Sequence, residues 1–206
     1  MKIEQYDSVE EKWFSYYVKE LLNAGWLLNA KYQPKSVEIT PEQFVHAYVK
    51  KRDTNEIKQI KLVNSLSYTA DWELVWNKKA EGVFYWQEGG IYPRNFYPYS
   101  KARAGHFIPF FASGQVSIVD IKGAVIGRSN TSAITFPLKQ KFLLKDGTFV
   151  QKIVVSLSEK GIFARTFFPR QVVIDEVYKR DCKFGKEGES KIKVPVRLLE
   201  QWIKKT

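Results

Sequence analysis

The order of elements in this chain predicts an α/β fold, a central mixed sheet flanked by helices. Three observations carry that expectation. An amphipathic helical stretch comes first, a block of apolar strand-like runs follows, and a second helix then leads into a further strand. That is the order of a sheet covered by helices. The 206 residues fit one domain with room for an appendage, and 44% apolar with 15% aromatic residues can bury a sizeable core. No repeat, low-complexity tract or disordered-type composition interrupts the pattern.

Residues 8–25 read as the first helix. Trp13, Phe14, Tyr17, Val18, Leu21 and Leu22 recur at helical spacing, with Lys12, Lys19 and Asn23 opposite. Ser8 is a suitable N-cap and Gly25 a suitable stop. Strands are expected at 32–39, 44–49, 57–63 and 68–76, the last carrying Asp71 in an otherwise aromatic and aliphatic run. Residues 77–116 form a long insertion dense in aromatic, glycine and basic residues, and a strand ending at Lys122 comes next. A second helix is expected over 136–145, stopping before Asp146-Gly147, and then a strand over 150–157. Residues 162–168 and 172–174 read as extended, and 196–204 as a closing helix with Leu198, Leu199, Trp202 and Ile203 on its apolar side. The expected organisation is thus a core over 1–157, interrupted by the insertion 77–116, and a β-rich C-terminal extension over 158–206 packed on it.

Thirty-three Lys and Arg against 22 acids give a formal net charge of +11, which implies a polyanionic partner. The basic residues are spread along the chain rather than gathered in one amphipathic helix, which argues against a membrane surface. No apolar run is long enough to span a membrane, and no signal-peptide pattern opens the chain. The single cysteine, Cys182, excludes an internal disulfide and suits a reducing cytoplasm. With only His46 and His106 beside it, zinc is poorly supported; oxygen ligands would favour magnesium or manganese.

The most informative stretch is Val119-Asp120-Ile121-Lys122-Gly123, where an apolar strand ends in an acid and a lysine. Alternation places positions 120 and 122 on one side, about 7 Å apart at a strand rise of roughly 3.3 Å per residue. Phosphodiester cleavage needs that pair, the acid to hold a divalent metal and the lysine to steady water or transition-state charge. The acid-x-Lys pattern itself recurs at Glu10 to Lys12, Glu56 to Lys58, Asp181 to Lys183 and Glu189 to Lys191. Of these only Glu56 to Lys58, leading into the apolar Ile60 to Val63, rivals the triplet in context.

Companions single out the triplet. Ser8-x-x-Glu11 opens the first helix, Tyr68-Thr69-Ala70-Asp71-Trp72 follows, and Asp120-x-Lys122-Gly123 ends an apolar strand before a helix and strand. In this order the chain resembles the PD-(D/E)xK nuclease superfamily, and within it phage Holliday-junction resolvases of the endonuclease I type, over roughly positions 7–157. Ala70 stands where the family usually has proline, and the stretch from Asp71 to Asp120 is long for the group. The resemblance implies a restriction-endonuclease-like core, with Asp71, Asp120 and the Ile121 carbonyl holding Mg2+ (or Mn2+), Lys122 as the water-side cation, and an acid on the first helix. It aligns Glu11 as that acid. Ser8-x-x-Glu11 is also a capping box, and Glu10, nearer the centre of the apolar arc, is the alternative.

Nucleic-acid contacts are expected from Lys139, Gln140 and Lys141 on the second helix, where many nucleases of this kind place a polar or basic residue facing the site. In the insertion, Arg94, Lys101 and Arg103 interleave with Phe84, Tyr85, Trp86, Tyr92, Phe96, Tyr97 and Tyr99. Basic residues there would track phosphates while aromatics stack on unpaired bases; the competing reading is that the aromatics pack a subdomain or a dimer interface. Arg128, beside the polar run Ser129 to Ser132, and the basic stretch 179–193 are further phosphate-tracking candidates. The expected function is a magnesium-dependent, structure-selective DNA endonuclease, a Holliday-junction or branched-DNA resolvase in the cytoplasm (the host's, if phage-encoded). Two symmetric cuts across a junction call for a homodimer. Alternatives are a nicking, flap or transposition-type nuclease of the superfamily, or a non-catalytic DNA-binding protein on the same fold.

Overall fold

In a computed structural model that describes residues 6–50, 55–81, 83–85, 115–123, 131–178, 192 and 194–204, the chain forms a mixed four-stranded sheet with helices against it. Helix α1 spans Val9–Asn23. Ser8 caps it, its Oγ accepting the Glu11 N–H at 3.1 Å, and Glu10 and Glu11 put negative charge against the positive end of the helix dipole. Phe14, Tyr17, Val18 and Leu21 form the buried stripe. The chain leaves the helix through Gly25 in the left-handed region, at φ +71°.

Five strands follow in a row: β1 (Leu27–Tyr32), β2 (Val37–Thr40), β3 (Gln43–Lys50), β4 (Asn55–Val63) and β5 (Leu66–Tyr68). Strand β6 (Trp72–Trp76) leads into a 3-10 turn at Lys78–Ala80, and β7 spans Val116–Gly123. Helix α2 (Thr131–Lys145) connects β7 to β8 (Val150–Val155), and α3 (Ile162–Arg165), α4 (Arg170–Tyr178) and α5 (Leu199–Ile203) complete the chain. The main sheet has the order β1-β6-β7-β8. Its first two pairings are antiparallel and β7–β8 is parallel, which is why a helical crossover, α2, must join those two strands.

Alternation along β7 divides the interior in two. Val119 and Ile121 face α1 and join the large cluster of Phe14, Tyr17, Trp72, Leu74, Trp76, Ile153, Phe163, Phe167 and Trp202. Ile118 faces the other way, into a smaller cluster of Tyr68, Ala70, Phe136, Leu143 and Val150 under α2. Asp120 and Lys122 continue this second face. Outside the main sheet, β2 pairs with β5 and β3 with β4, both antiparallel, forming a two-step arm that interrupts the path from β1 to β6.

Several sequence expectations need correction. The strand at 32–39 is the end of β1, a turn and most of β2, and the greater part of β1 had no counterpart in the reading. The strand at 68–76 breaks at 69–71 into β5 and β6. Helix α2 starts at Thr131 rather than at 136, and it carries Pro137 in its interior. The C-terminal extension is helical, not β-rich, among the described residues. Residues 162–168 hold α3 and a buried Phe167-Phe168 pair, and 172–174 lie within α4. Short apolar runs fit either period; here contacts decide, with Tyr17 stacking on Phe163 and Phe167 at 5.9 and 4.3 Å between ring centroids. Pro169 just ahead of Arg170 was a usable helix-start signal. The closing helix is trimmed to Leu199–Ile203 and does bury Leu199 and Trp202.

Candidate active site

Asp71 is set by the break between β5 and β6. Its N–H donates to the Val119 carbonyl at 3.1 Å and its carbonyl accepts from the Gln33 N–H at 2.9 Å, so its backbone is tied to β7 and to the end of β1. Its side chain then reaches across β7: Oδ2 accepts the Ile121 N–H at 2.5 Å. In an extended strand the N–H and C=O of one residue project to the same edge, so the Ile121 carbonyl also faces the Asp71 side.

Asp120 lies one residue before that amide and is only 4% exposed. Its Oδ1 accepts from the Tyr68 hydroxyl at 2.9 Å. Its Oδ2 has the Lys122 ammonium as ion-pair partner and otherwise takes no hydrogen bond. Lys122 is held from the far side by α2, its Nζ standing 5.7 Å from the centre of the Phe136 ring. Asp71, Asp120 and Lys122 thus meet at one end of the β6–β7 pair.

The electrostatics agree with the geometry. Burial pushes the Asp71 carboxyl up to about 6; the Ile121 N–H and the Lys122 ammonium pull it down, while the Asp120 and Glu11 carboxylates push it up. Burial, and then the Asp120 carboxylate, raise the Tyr68 phenol, so it stays protonated and acts as a donor.

Glu11 is buried and fully engaged. Its Oε1 accepts from Ser8 Oγ at 2.9 Å and its Oε2 from the Tyr32 hydroxyl at 2.7 Å. The capping box expected from Ser8-x-x-Glu11 is therefore closed through the serine hydroxyl. Glu10 approaches from the other side of the helix end, its Oε1 2.9 Å from where a Cβ on Gly123 would stand. The glycine after Lys122 thus leaves room for a helix acid, a reason not apparent in the sequence. Glu11 acts on Asp71 through its charge, while Glu10 lies beside the end of β7.

Among the expected contact residues, Lys139 faces the site, its Nζ 6.0 Å from the centre of the Tyr68 ring. Gln140 donates to the Val150 carbonyl at 2.5 Å and so ties α2 to β8, while Lys141 is exposed. The sequence reading passed over Lys152, which stands opposite Asp120 in the parallel register and hence on the same face. It also assigned no role to Tyr68 or Phe136. Phe84 and Tyr85 are fully buried, packing on Trp76 with centroid distances of 5.7 Å each, so these two aromatics build core. Trp86, Tyr92, Arg94, Phe96, Tyr97, Tyr99, Lys101, Arg103 and Arg128 lie outside the described residues, as do residues 179–191. The rival triplet Glu56 to Lys58 is exposed on β4, in a two-stranded sheet separate from the one that carries Asp120.

Whether these residues fit a divalent cation is decided by the donor set. Among the described residues no group of three or more His, Cys, Asp and Glu side chains is arranged to hold a metal ion. A pair of carboxylates, Asp71 and Asp120, is what remains, with the buried Asp120 Oδ2 paired to the Lys122 ammonium alone. That set fits magnesium, which keeps several waters and takes one or two carboxylates together with substrate phosphate.

No helix among the described residues is long and apolar enough to cross a membrane. No family model, curated protein or solved structure matches the chain.

Proposed function

We propose that this chain is a magnesium-dependent DNA endonuclease that cleaves branched DNA, working as a homodimer. The observation that carries the reading is the meeting of Asp71, Asp120 and Lys122 at one end of the β6–β7 pair. The likeness of its three motifs to the PD-(D/E)xK superfamily and the net charge of +11 point the same way.

Asp71 and Asp120, with the Ile121 carbonyl, would hold Mg2+ or Mn2+. A divalent ion there supplies polarisation of the scissile phosphate and a more acidic water. Hydrolysis joins the water oxygen to phosphorus as the bond from phosphorus to the leaving sugar oxygen breaks. Lys122, turned from Asp120 towards substrate, orients that water and offsets charge on the phosphoryl oxygens. Lys139 and Lys152 place further positive charge around the same face, where the DNA backbone would run. Selectivity for branched DNA is assigned to the basic and aromatic insertion 77–116, and dimerisation to the need for two cuts related by a two-fold axis.

The test is cleavage of labelled four-way junction, flap and linear duplex with magnesium, comparing the natural chain with Asp120→Asn. Junction cleavage that vanishes with Asp120→Asn or with chelator is the expected result. Equal cutting of linear duplex would remove the branched-DNA assignment, and binding without any cleavage would make the chain a DNA-binding protein.

A further inference from the structure

We propose that Tyr68 is a positioning residue for the metal site, orienting Asp120 through a hydrogen bond to Oδ1 so that Oδ2 is presented to the cation. The inference rests on the metal-dependent reading above and goes beyond it, since Tyr68 itself touches neither metal nor substrate.

Three observations carry it. The Tyr68 hydroxyl donates to Asp120 Oδ1 at 2.9 Å, and both residues are buried, so no water competes for that oxygen. Tyr68 belongs to β5, outside the main sheet, and its ring packs in the α2-side cluster with Ala70, Phe136, Leu143 and Val150. Its hydroxyl is therefore fixed by packing on α2, on β8 and on Ile118 of β7. The third observation is reciprocity. The segment 68–71 gives Asp120 a donor from Tyr68, and β7 gives Asp71 a donor from the Ile121 N–H at 2.5 Å. Each carboxylate is braced by the segment that carries the other, which leaves one Asp120 oxygen, Oδ2, facing Lys122 and no other donor. Outer partners of this kind set the orientation of a ligand, and their loss typically lowers metal affinity by about 10- to 100-fold. Lys139, over the Tyr68 ring, steadies the phenol from the solvent side.

The experiment is Mn2+ titration followed by electron paramagnetic resonance on the natural chain, Tyr68→Phe and Asp120→Asn, with junction cleavage measured across Mg2+ concentration. Tyr68→Phe keeps the ring and removes only the donor. The expected result is Mn2+ binding weakened about 10-fold or more. Its cleavage should need correspondingly more Mg2+ and return towards the natural kcat at saturation. Mn2+ affinity equal to that of the natural chain overturns the role of Tyr68 while leaving the metal site standing. Absence of Mn2+ binding by the natural chain overturns both. Should Tyr68→Phe fail to fold, the Tyr68 Cζ resonance of the natural chain is followed during Mg2+ titration. A shift that saturates with metal binding supports the role, and an unmoved resonance overturns it.

Discussion

Strands β6 and β3 carry comparable apolar side chains, yet they meet opposite fates. Trp72, Leu74 and Trp76 on β6 are at most 6% exposed, whereas Phe44 and Tyr48 on β3 are 43% and 78% exposed. Strand β6 is central in a sheet with α1 laid over one face; β3 pairs only with β4, in a two-stranded sheet. A lone two-stranded ribbon has little to bury against, so its apolar residues stabilise it weakly. The same contrast separates the two best acid-x-Lys triplets. Asp120 to Lys122 ends a covered strand beside Asp71, and Glu56 to Lys58 lies on the exposed ribbon. Burial raises the Asp71 carboxyl beside the first, whereas the second lies on an exposed ribbon.

Substitutions can break or sharpen this contrast. Trp76→Ala removes a fully buried indole whose Nε1 donates to Ser117 Oγ at 2.9 Å, and it should cost about 3–5 kcal/mol in urea unfolding. Tyr48→Ala on the arm should cost less than about 0.5 kcal/mol in the same measurement. Equal costs would mean that the ribbon is part of the core.

Asp71→Asn comes next in size, and it should stabilise. The folded Asp71 pKa, about 6, lies above its usual value of 3.8, so the native state binds this proton more tightly than the unfolded chain. The contribution of Asp71 is therefore fully present below about pH 4 and lost as pH rises through 6. Without added metal at pH 8, Asp71→Asn should gain on the order of 1–2 kcal/mol, discounted for partial solvent screening, and the gain should vanish near pH 4. Thermal unfolding of Asp71→Asn and the natural chain across pH 4–8 is the measurement, and a pH-independent Asp71→Asn effect would contradict the buried-carboxylate account.

A smaller effect is expected at the start of α1. Ser8→Ala removes the N-cap and the hydroxyl that donates to Glu11, costing about 1 kcal/mol by denaturant unfolding. The smallest belongs to the arm again. Ile57→Thr, at a position 59% exposed, should change stability by less than about 0.5 kcal/mol, with chemical-shift changes confined to β3 and β4.

Much of the fold and site was legible in sequence where local rules suffice. Ser8, the apolar stripe and Gly25 marked α1 almost to the residue, because capping and helical period are properties of neighbouring positions. The Asp120 and Lys122 pair followed from strand alternation, and Asp71 from its place in an apolar run ahead of it. The helices α3 and α4 were read as strands because Val172, Val173 and Ile174 suit either state and only packing against α1 selects one. Tyr68 was visible as a letter in a motif, but its partner lies on another strand and no local pattern names it.

By itself the sequence determined the first helix, the strand that ends in Asp120 and Lys122 and the positive charge, since each depends on residue type and near-neighbour geometry. Tertiary structure alone decided which apolar strands are covered, that Tyr68 braces Asp120 while the Ile121 amide braces Asp71, and that Glu10 and Glu11 take different places. Those outcomes hinge on strand order and helix placement, where residues far apart in the chain are brought within hydrogen-bond reach and water is removed from between them.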